Sequence, residues 1–227
     1  MRQLLLDLSP PAAPTLDNFA IGRNGEVLHA LTGWLSGTLD ARALYLWGPP
    51  GSGKTHLLSA AAAVAQAQGR SARYLPSSEL AAADLPEGCD YVALDDVHTL
   101  DAPGQATLFT VLNRCAHGEL RVLLAAQTAP AGLPLREDVR TRAAAALVLK
   151  LHPLSDEDKA QALQAHAHSR GFELPSEAAA YLLRHGRRDL RWLLAFLDAL
   201  DRYSLQARRT ITVPLLREVL QQESRFK

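Results

Sequence analysis

The sequence predicts an α/β fold, with a parallel five-stranded sheet flanked by helices and a small all-helical domain after it. Between Thr15 and Leu151, short apolar runs alternate with helix-like segments, which is the pattern of a parallel sheet covered on both faces. After Pro153 every periodic segment has helical spacing. A glycine-rich loop also directly follows one of the apolar runs, which is typical of α/β nucleotide-binding proteins.

Five apolar runs are candidate strands, because each is short, rich in strand-forming residues and followed by a loop or helix pattern. They cover residues 43–47, 72–75, 91–94, 122–126 and 146–149. Helix-like segments near 54–68, 104–117 and 136–142 lie between them. Strands that alternate with helices in this way predict βαβ units, and therefore parallel pairing.

The C-terminal segments predict four helices, at 155–170, 176–185, 188–203 and 214–223. Pro175 and Pro214 mark helix starts, and Ser155 and Ser176 are candidate N-caps. The predicted organisation is a flexible tail at 1–15, a nucleotide-binding α/β domain at 16–152 and a helical lid domain at 153–227.

Composition excludes several classes of protein. Equal numbers of basic and acidic residues, 24 of each, argue against a protein whose main partner is bulk nucleic acid. The longest apolar run, 143–149, is far shorter than the roughly 18 residues of a membrane span. Cys89 and Cys115 show no metal-ligand spacing, so we expect reduced thiols in a cytoplasmic protein.

The strongest motif is a complete phosphate loop, GxxxxGK[ST], between a predicted strand and a predicted helix. Its residues are Gly48, Pro49, Pro50, Gly51, Ser52, Gly53, Lys54 and Thr55. The glycines let backbone N–H groups surround phosphates, and the new helix presents its positive end. Lys54 is expected to contact the β- and γ-phosphates, and the Thr55 hydroxyl to bind Mg²⁺. The sequence therefore predicts ADP or ATP as a ligand.

A second acidic element supports this prediction. The apolar strand at 91–94 ends in Asp95 and Asp96, about 40 residues after the loop, as in the Walker B element of phosphate-loop proteins. Asp95 is expected to hold Mg²⁺, directly or through water, and Asp96 stands where a base polarises attacking water.

Together with these motifs, several segments resemble the AAA+ family, its DnaA-like branch, and within that branch the Hda subfamily. The segments are 15–22, 44–48, 55–58, 153–159 and 170–175. The resemblance covers nearly the whole chain. It implies that residues 15–22 line an adenine pocket, that His56 belongs to the nucleotide site, and that no helix-turn-helix domain follows the lid.

The same resemblance assigns roles to two arginines. Arg142 matches the family's arginine finger, which acts on a nucleotide held by a neighbouring subunit, and Arg191 matches the sensor-2 arginine of the lid. Arg140 and Arg187 are interpreted as solvated helix-end charges. The sensor-1 position departs from the family, with Gln127 and Thr128 in place of a hydroxyl–aspartate pair. Glutamine cannot act as a base, so hydrolysis of the chain's own ATP is expected to be weak or absent.

The N-terminal tail resembles a sliding-clamp-binding motif of the Hda subfamily. Gln3 is followed by leucines, and the expected contacts are made by Gln3, Leu4, Leu6 and Leu8. An extended peptide places alternate apolar side chains in pockets while an amide makes hydrogen bonds. The alternatives are that Leu4, Leu5 and Leu6 form the first strand of the domain or belong to a disordered end, but clamp binding is favoured.

The resemblance implies a regulator of replication initiation. Such a protein binds the DNA-loaded sliding clamp and stimulates hydrolysis of the ATP on DnaA; DNA contact is expected to be mainly indirect, and a homodimer is compatible with it. The alternative is a helicase loader of the DnaC or IstB kind, which is expected to carry an additional N-terminal domain. A small nucleotide kinase is a third class, disfavoured by the helical lid and the finger position.

Overall fold

The computed structural model describes residues 12–82, 88–207 and 209–224, in two compact units. The first unit is Pro14–Pro153, and the second contains the helices that follow Leu154. No helix in the described ranges is long and apolar enough to cross a membrane.

The first unit has a sheet of five strands in the described residues, with helices between them. The strands are β1 (Ala43–Trp47), β2 (Ala72–Pro76), β3 (Tyr91–Asp95), β4 (Arg121–Ala126) and β5 (Leu147–Lys150). The helices are α1 (Gly25–Ser36), α2 (Lys54–Ala67), α3 (Ser77–Leu80), α4 (Ala102–Ala116) and α5 (Glu137–Ala144). Every pairing is parallel, and the strand order is β2-β3-β4-β1-β5. The predicted α/β class and five-stranded parallel sheet are confirmed.

The sheet separates two apolar cores. Leu44 and Leu46 of β1 pack with α1 and α2 on one face, while Tyr45 faces the core that contains Leu108 and Val139 of α4 and α5. This alternation follows from the two-residue period of a strand. Since β1 lies between β4 and β5 and is covered on both faces, its sequence is a continuous apolar run.

The second unit contains α6 (Asp156–Ser169), α7 (Ser176–His185), α8 (Leu190–Ala207) and α9 (Val213–Ser224). Its core includes Leu163, Leu182, Phe196 and Leu215, one from each helix. Within each of these helices the apolar residues recur at helical spacing, which is the pattern that predicted an all-helical domain.

Capping differs between two of these helices. Ser155 caps α6 in a reciprocal pair with Asp158, as predicted. The expected N-cap at Ser176 is wrong, because Pro175 occupies that position and Ser176 is already helical. The fixed φ of proline suits the residue that enters a helix, which explains the displacement by one position.

Candidate nucleotide-binding site

The phosphate loop follows β1 without a break and is pressed against the backbone of residue 151. The Gly48 N–H donates to the carbonyl of Ala126, 3.2 Å away, which extends the β1–β4 ladder into the loop. A side chain on Gly48 would bring its Cβ to 2.3 Å from the Leu151 carbonyl oxygen. That distance is too short for any Cβ, so only glycine fits where the loop begins.

The last glycine of the loop is required for two reasons. Gly53 has a φ of +95°, in the left-handed region, and its Cβ position lies 2.7 Å from the ring of Phe19. Helix α2 begins directly afterwards at Lys54, so its first N–H groups face the loop. This is the geometry that binds anions at a helix N-terminus.

The loop's own backbone holds Lys54. Its side chain is buried, at 6% exposure, and its Nζ donates to the carbonyls of Gly48 (2.8 Å) and Pro49 (2.9 Å). Burial lowers the pKa of the Lys54 ammonium, and the nearby carboxylates of Asp96 and Asp95 oppose that shift. The structure therefore brings the predicted lysine and both predicted carboxylates into one electrostatic environment.

Asp95 is fixed at the end of β3. It is 3% exposed, and its two oxygens accept from the Tyr74 hydroxyl at 3.0 Å and from the Asp96 N–H at 2.9 Å. Asp96 adopts a left-handed conformation (φ 49°) with its side chain half-exposed. Aspartate tolerates this region better than most residues. One carboxylate is thus held in place, while the next is turned toward solvent.

Strand order places these elements side by side. Because β4 lies between β1 and β3, the residue that follows β4, Gln127, stands between the phosphate loop and the Asp95–Asp96 pair. The Tyr45 hydroxyl donates to the Thr128 carbonyl at 2.8 Å and holds the chain after β4. The predicted sensor-1 position therefore lies at the carboxyl end of the sheet, as the phosphate loop does, and a glutamine amide is its functional group.

The donor set fits Mg²⁺ bound together with a nucleotide. Among the described residues, no group of three or more His, Cys, Asp or Glu side chains forms a metal cluster. Thr55 supplies a hydroxyl and Asp95 a carboxylate, which are hard oxygen ligands. Mg²⁺ commonly takes one or two such ligands and completes its shell with waters and substrate phosphates.

The segment 15–22 lies along the loop and the start of α2. The His56 Nε2 is 2.8 Å from the Thr15 carbonyl oxygen, and the His56 ring is 5.5 Å from that of Phe19. Ile21 is 46% exposed beyond them. His56, expected in the nucleotide site, thus holds the segment that the resemblance assigns to the adenine pocket.

Sequence reasoning missed Asn24. This residue is 1% exposed, and its amide bonds both backbone groups of His152: Oδ1 accepts from the His152 N–H at 2.7 Å, and Nδ2 donates to its carbonyl at 2.9 Å. An asparagine before a helix normally signals an N-cap, but Asn24 makes no such capping bond to α1.

Arg142 lies on α5 and is held by α4. Its Nε donates to Asn113 Oδ1 at 2.6 Å, and its guanidinium lies 4.2 Å from the centre of the Phe109 ring. Neither Asn113 nor Phe109 was singled out in the sequence. Their spacing was a signal in the sequence, because Phe109 and Asn113 are four residues apart and therefore lie on the same face of α4.

Arg142 also lines a groove of about 530 Å³ at the amino end of the sheet. We call this the amino-end groove, and it is lined by residues 39–43, Leu112, Cys115, Ala116, Arg142 and 145–147. The phosphate loop follows the other end of β1, about 16 Å away along five residues of strand. Arg142 therefore stands at the opposite end of the sheet from the chain's own phosphate loop.

The remaining predicted residues lie elsewhere. Arg191 is in the helical unit, exposed in the first turn of α8, where its backbone N–H donates to Asp189 Oδ1 at 3.1 Å. Arg140 is on α5, partly exposed. The predicted clamp-binding residues, Gln3, Leu4, Leu6 and Leu8, lie outside the described residues.

Comparisons with known proteins find matches that include both units. Residues 156–220 match the family model of the Hda lid domain. Domain III of the replication initiation protein DnaA from Thermotoga maritima is similar at 22% identity, with 92% of this chain and 98% of that one covered, and a TM-score of 0.73.

Two further solved structures are similar. AMPPCP-bound DnaA from Aquifex aeolicus has 22% identity over 89% of this chain and 71% of its own, with a TM-score of 0.70. A point mutant of RuvB from Thermotoga maritima has 18% identity over 92% of this chain and 72% of its own, with a TM-score of 0.66. At these identities the likeness shows the fold alone, which is a parallel α/β unit followed in sequence by a helical unit.

Proposed function

We propose that this chain, which is an Hda/DnaA-like AAA+ protein, is a nucleotide-bound regulator that acts on the replication initiator DnaA. In this proposal the chain binds a DNA-loaded sliding clamp and offers Arg142 to the ATP held by DnaA. Hydrolysis of that ATP then inactivates the initiator and prevents re-initiation.

The phosphate loop at the carboxyl end of the sheet supports the nucleotide part of the proposal. Residues 48–55 would surround the phosphates of ADP or ATP, with Lys54 as the cation and the first N–H groups of α2 as donors. Thr55 and Asp95 would hold Mg²⁺, which neutralises phosphate charge when bound. Arg191 would contact the same nucleotide as the sensor-2 residue.

The position of Arg142 is the observation that carries the proposal. It lies at the opposite end of β1 from the chain's own phosphate loop, so its guanidinium is far from the chain's own nucleotide site. An arginine with that placement suits a nucleotide on a neighbouring molecule. The planar guanidinium of Arg142 matches the geometry of phosphate oxygens, and its contacts with Asn113 and Phe109 fix its orientation.

Gln127 favours a partner's ATP over the chain's own as the nucleotide that is hydrolysed. Its amide can hydrogen-bond water or phosphate but cannot accept a proton as a base. Asp96 is a half-exposed carboxylate directly after β3, and we propose it as the group that orients water in any residual hydrolysis.

The tail motif supports the clamp as the second partner. Gln3, Leu4, Leu6 and Leu8 would enter apolar pockets as an extended peptide. Since a clamp encircles duplex DNA, this contact would bring the chain to DNA.

The test is hydrolysis of labelled ATP on DnaA, with sliding clamp loaded on DNA. We expect the chain to accelerate hydrolysis, and deletion of residues 1–8 to abolish the acceleration while leaving ADP binding intact. Omission of the clamp is the matched control for the deletion. Equal stimulation with and without the clamp would contradict clamp docking, and no stimulation under any condition would contradict the regulator.

A further inference from the structure

The helical unit carries a concentrated basic surface that the proposed nucleotide site does not use. Between residues 184 and 188 there are three arginines and no acidic residue, in a chain whose net charge is zero. Arg184, Arg187 and Arg188 are all exposed. On α9, Arg217 is exposed as well, and its guanidinium lies 5.8 Å from the Tyr181 ring of α7.

Aromatic rings connect the two helices across this surface. The rings of Tyr181 and His185 lie 4.3 Å apart at a tilt of 35°. Tyr181 therefore contacts both His185 and Arg217. We call the set of Tyr181, Arg184, His185, Arg187, Arg188 and Arg217 the arginine patch.

The cations of the arginine patch have no carboxylate partners in the described part of the chain. Other arginines of the unit do: Arg170 pairs with Asp198 and Asp201, and Arg209 pairs with Glu218 at 3.0 Å. Arg184, Arg187, Arg188 and Arg217 form no such ion pair among the described residues. A cluster of unneutralised, exposed guanidinium groups attracts a polyanion.

We propose that the arginine patch binds the phosphate backbone of duplex DNA, independently of base sequence. Planar guanidinium forks match phosphate oxygens, and such contacts supply most of the affinity of non-specific DNA binding. The choice of DNA rests on the proposed function, since a chain docked on a loaded clamp is held beside a duplex. The patch then adds a second, weak anchor, and two linked contacts bind more tightly than either alone.

The test is fluorescence anisotropy of a short labelled duplex titrated with the full chain in ADP, over a series of NaCl concentrations and without clamp or initiator. The variant is Arg184→Ala with Arg217→Ala, two residues to which the proposed function assigns no role. The matched control, Lys159→Ala with Arg209→Ala, removes the same charge from the same unit.

We expect the patch variant to bind the duplex about tenfold more weakly than the parent, and the slope of log affinity against log salt to fall by about two. The control is expected to bind within about twofold of the parent, and both variants should bind ADP normally. A change of base sequence should not alter either result.

Three outcomes would overturn the proposal. The first is absence of duplex binding by the parent at low salt, and the second is equal weakening by the patch and control variants. The third is competition by polyglutamate as effective as by unlabelled duplex, which would indicate an acidic protein as the partner. Because neither clamp nor DnaA is present in this assay, its result does not depend on whether the regulator proposal is correct.

Discussion

The two ends of the sheet present their functional groups in opposite ways. At the carboxyl end, Lys54 and Asp95 are buried, and the surrounding backbone and Tyr74 hold their charged atoms. At the amino end, Arg142 is exposed and is held by two side chains of α4. The first arrangement is suited to a ligand that the chain keeps, and the second to a ligand that another molecule brings.

The comparison is tested most severely at Arg142. We expect Arg142→Ala to lower the stimulation of DnaA hydrolysis by about 10³-fold, because loss of an arginine finger typically costs that much. ADP binding and the melting temperature should not change, since the residue is exposed and remote from the loop. Arg142→Lys should restore little, because an ammonium lacks the planar fork. Full stimulation by the alanine variant would show that the amino end is not catalytic.

At the carboxyl end, Gly48→Ala should destabilise the chain by about 3 kcal/mol or more, because the added Cβ meets the Leu151 carbonyl at 2.3 Å. Gly51→Ala is the matched control. Gly51 has open space around its Cβ position and a φ of +76°, so only a backbone penalty of about 1–2 kcal/mol is expected. Denaturant unfolding measures the free energy of unfolding of both variants. Equal decreases would mean that the backbone at Leu151 moves to accommodate the added Cβ.

Lys54→Ala should weaken ADP binding by roughly 10- to 100-fold, the value of one charged hydrogen bond to phosphate, about 1.5–3 kcal/mol. Calorimetric titration with ADP measures this, and Lys159→Ala, an α6 lysine, serves as the control. Undiminished binding by the Lys54 variant would remove this lysine from the nucleotide site.

The smallest effect is expected at Asn113. Its hydrogen bond to Arg142 is exposed and worth about 1 kcal/mol, so Asn113→Ala should reduce stimulation of DnaA about fivefold. Combining it with Arg142→Ala should add nothing further, because the bond has already been lost. An additive double variant would assign Asn113 a role independent of the finger.

The sequence predicted the carboxyl end far better than the amino end. The phosphate loop and the strand ending in two aspartates are local patterns, since backbone conformation and ligand contacts both come from neighbouring residues. All five strands were anticipated to within about two residues at each end, because apolar runs between breakers leave few alternatives.

What the sequence could not supply are contacts between distant residues. Asn24 pairs with a residue 128 positions away, and Asn113 with one 29 positions away. Helix α1 was also missed, although Val27, Leu31 and Trp34 have helical spacing; Gly25 and Gly33 weaken its propensity. The two arginine roles came from resemblance, and the geometry supplied a physical reason for only one of them.

The position of β1 between β4 and β5 has a consequence for synthesis of the chain on the ribosome. The two strands that flank it, β4 and β5, are synthesised long after it. The hydrogen bonds between Asn24 and His152 likewise cannot form until His152 has been synthesised. About 80 residues separate the end of β1 from the end of β4, so at roughly 5–20 residues per second β1 stays unpaired for about 4–16 s. Throughout that interval Leu44 and Leu46 have no neighbouring strand, and we expect nascent chains cut short before β4 to require a chaperone.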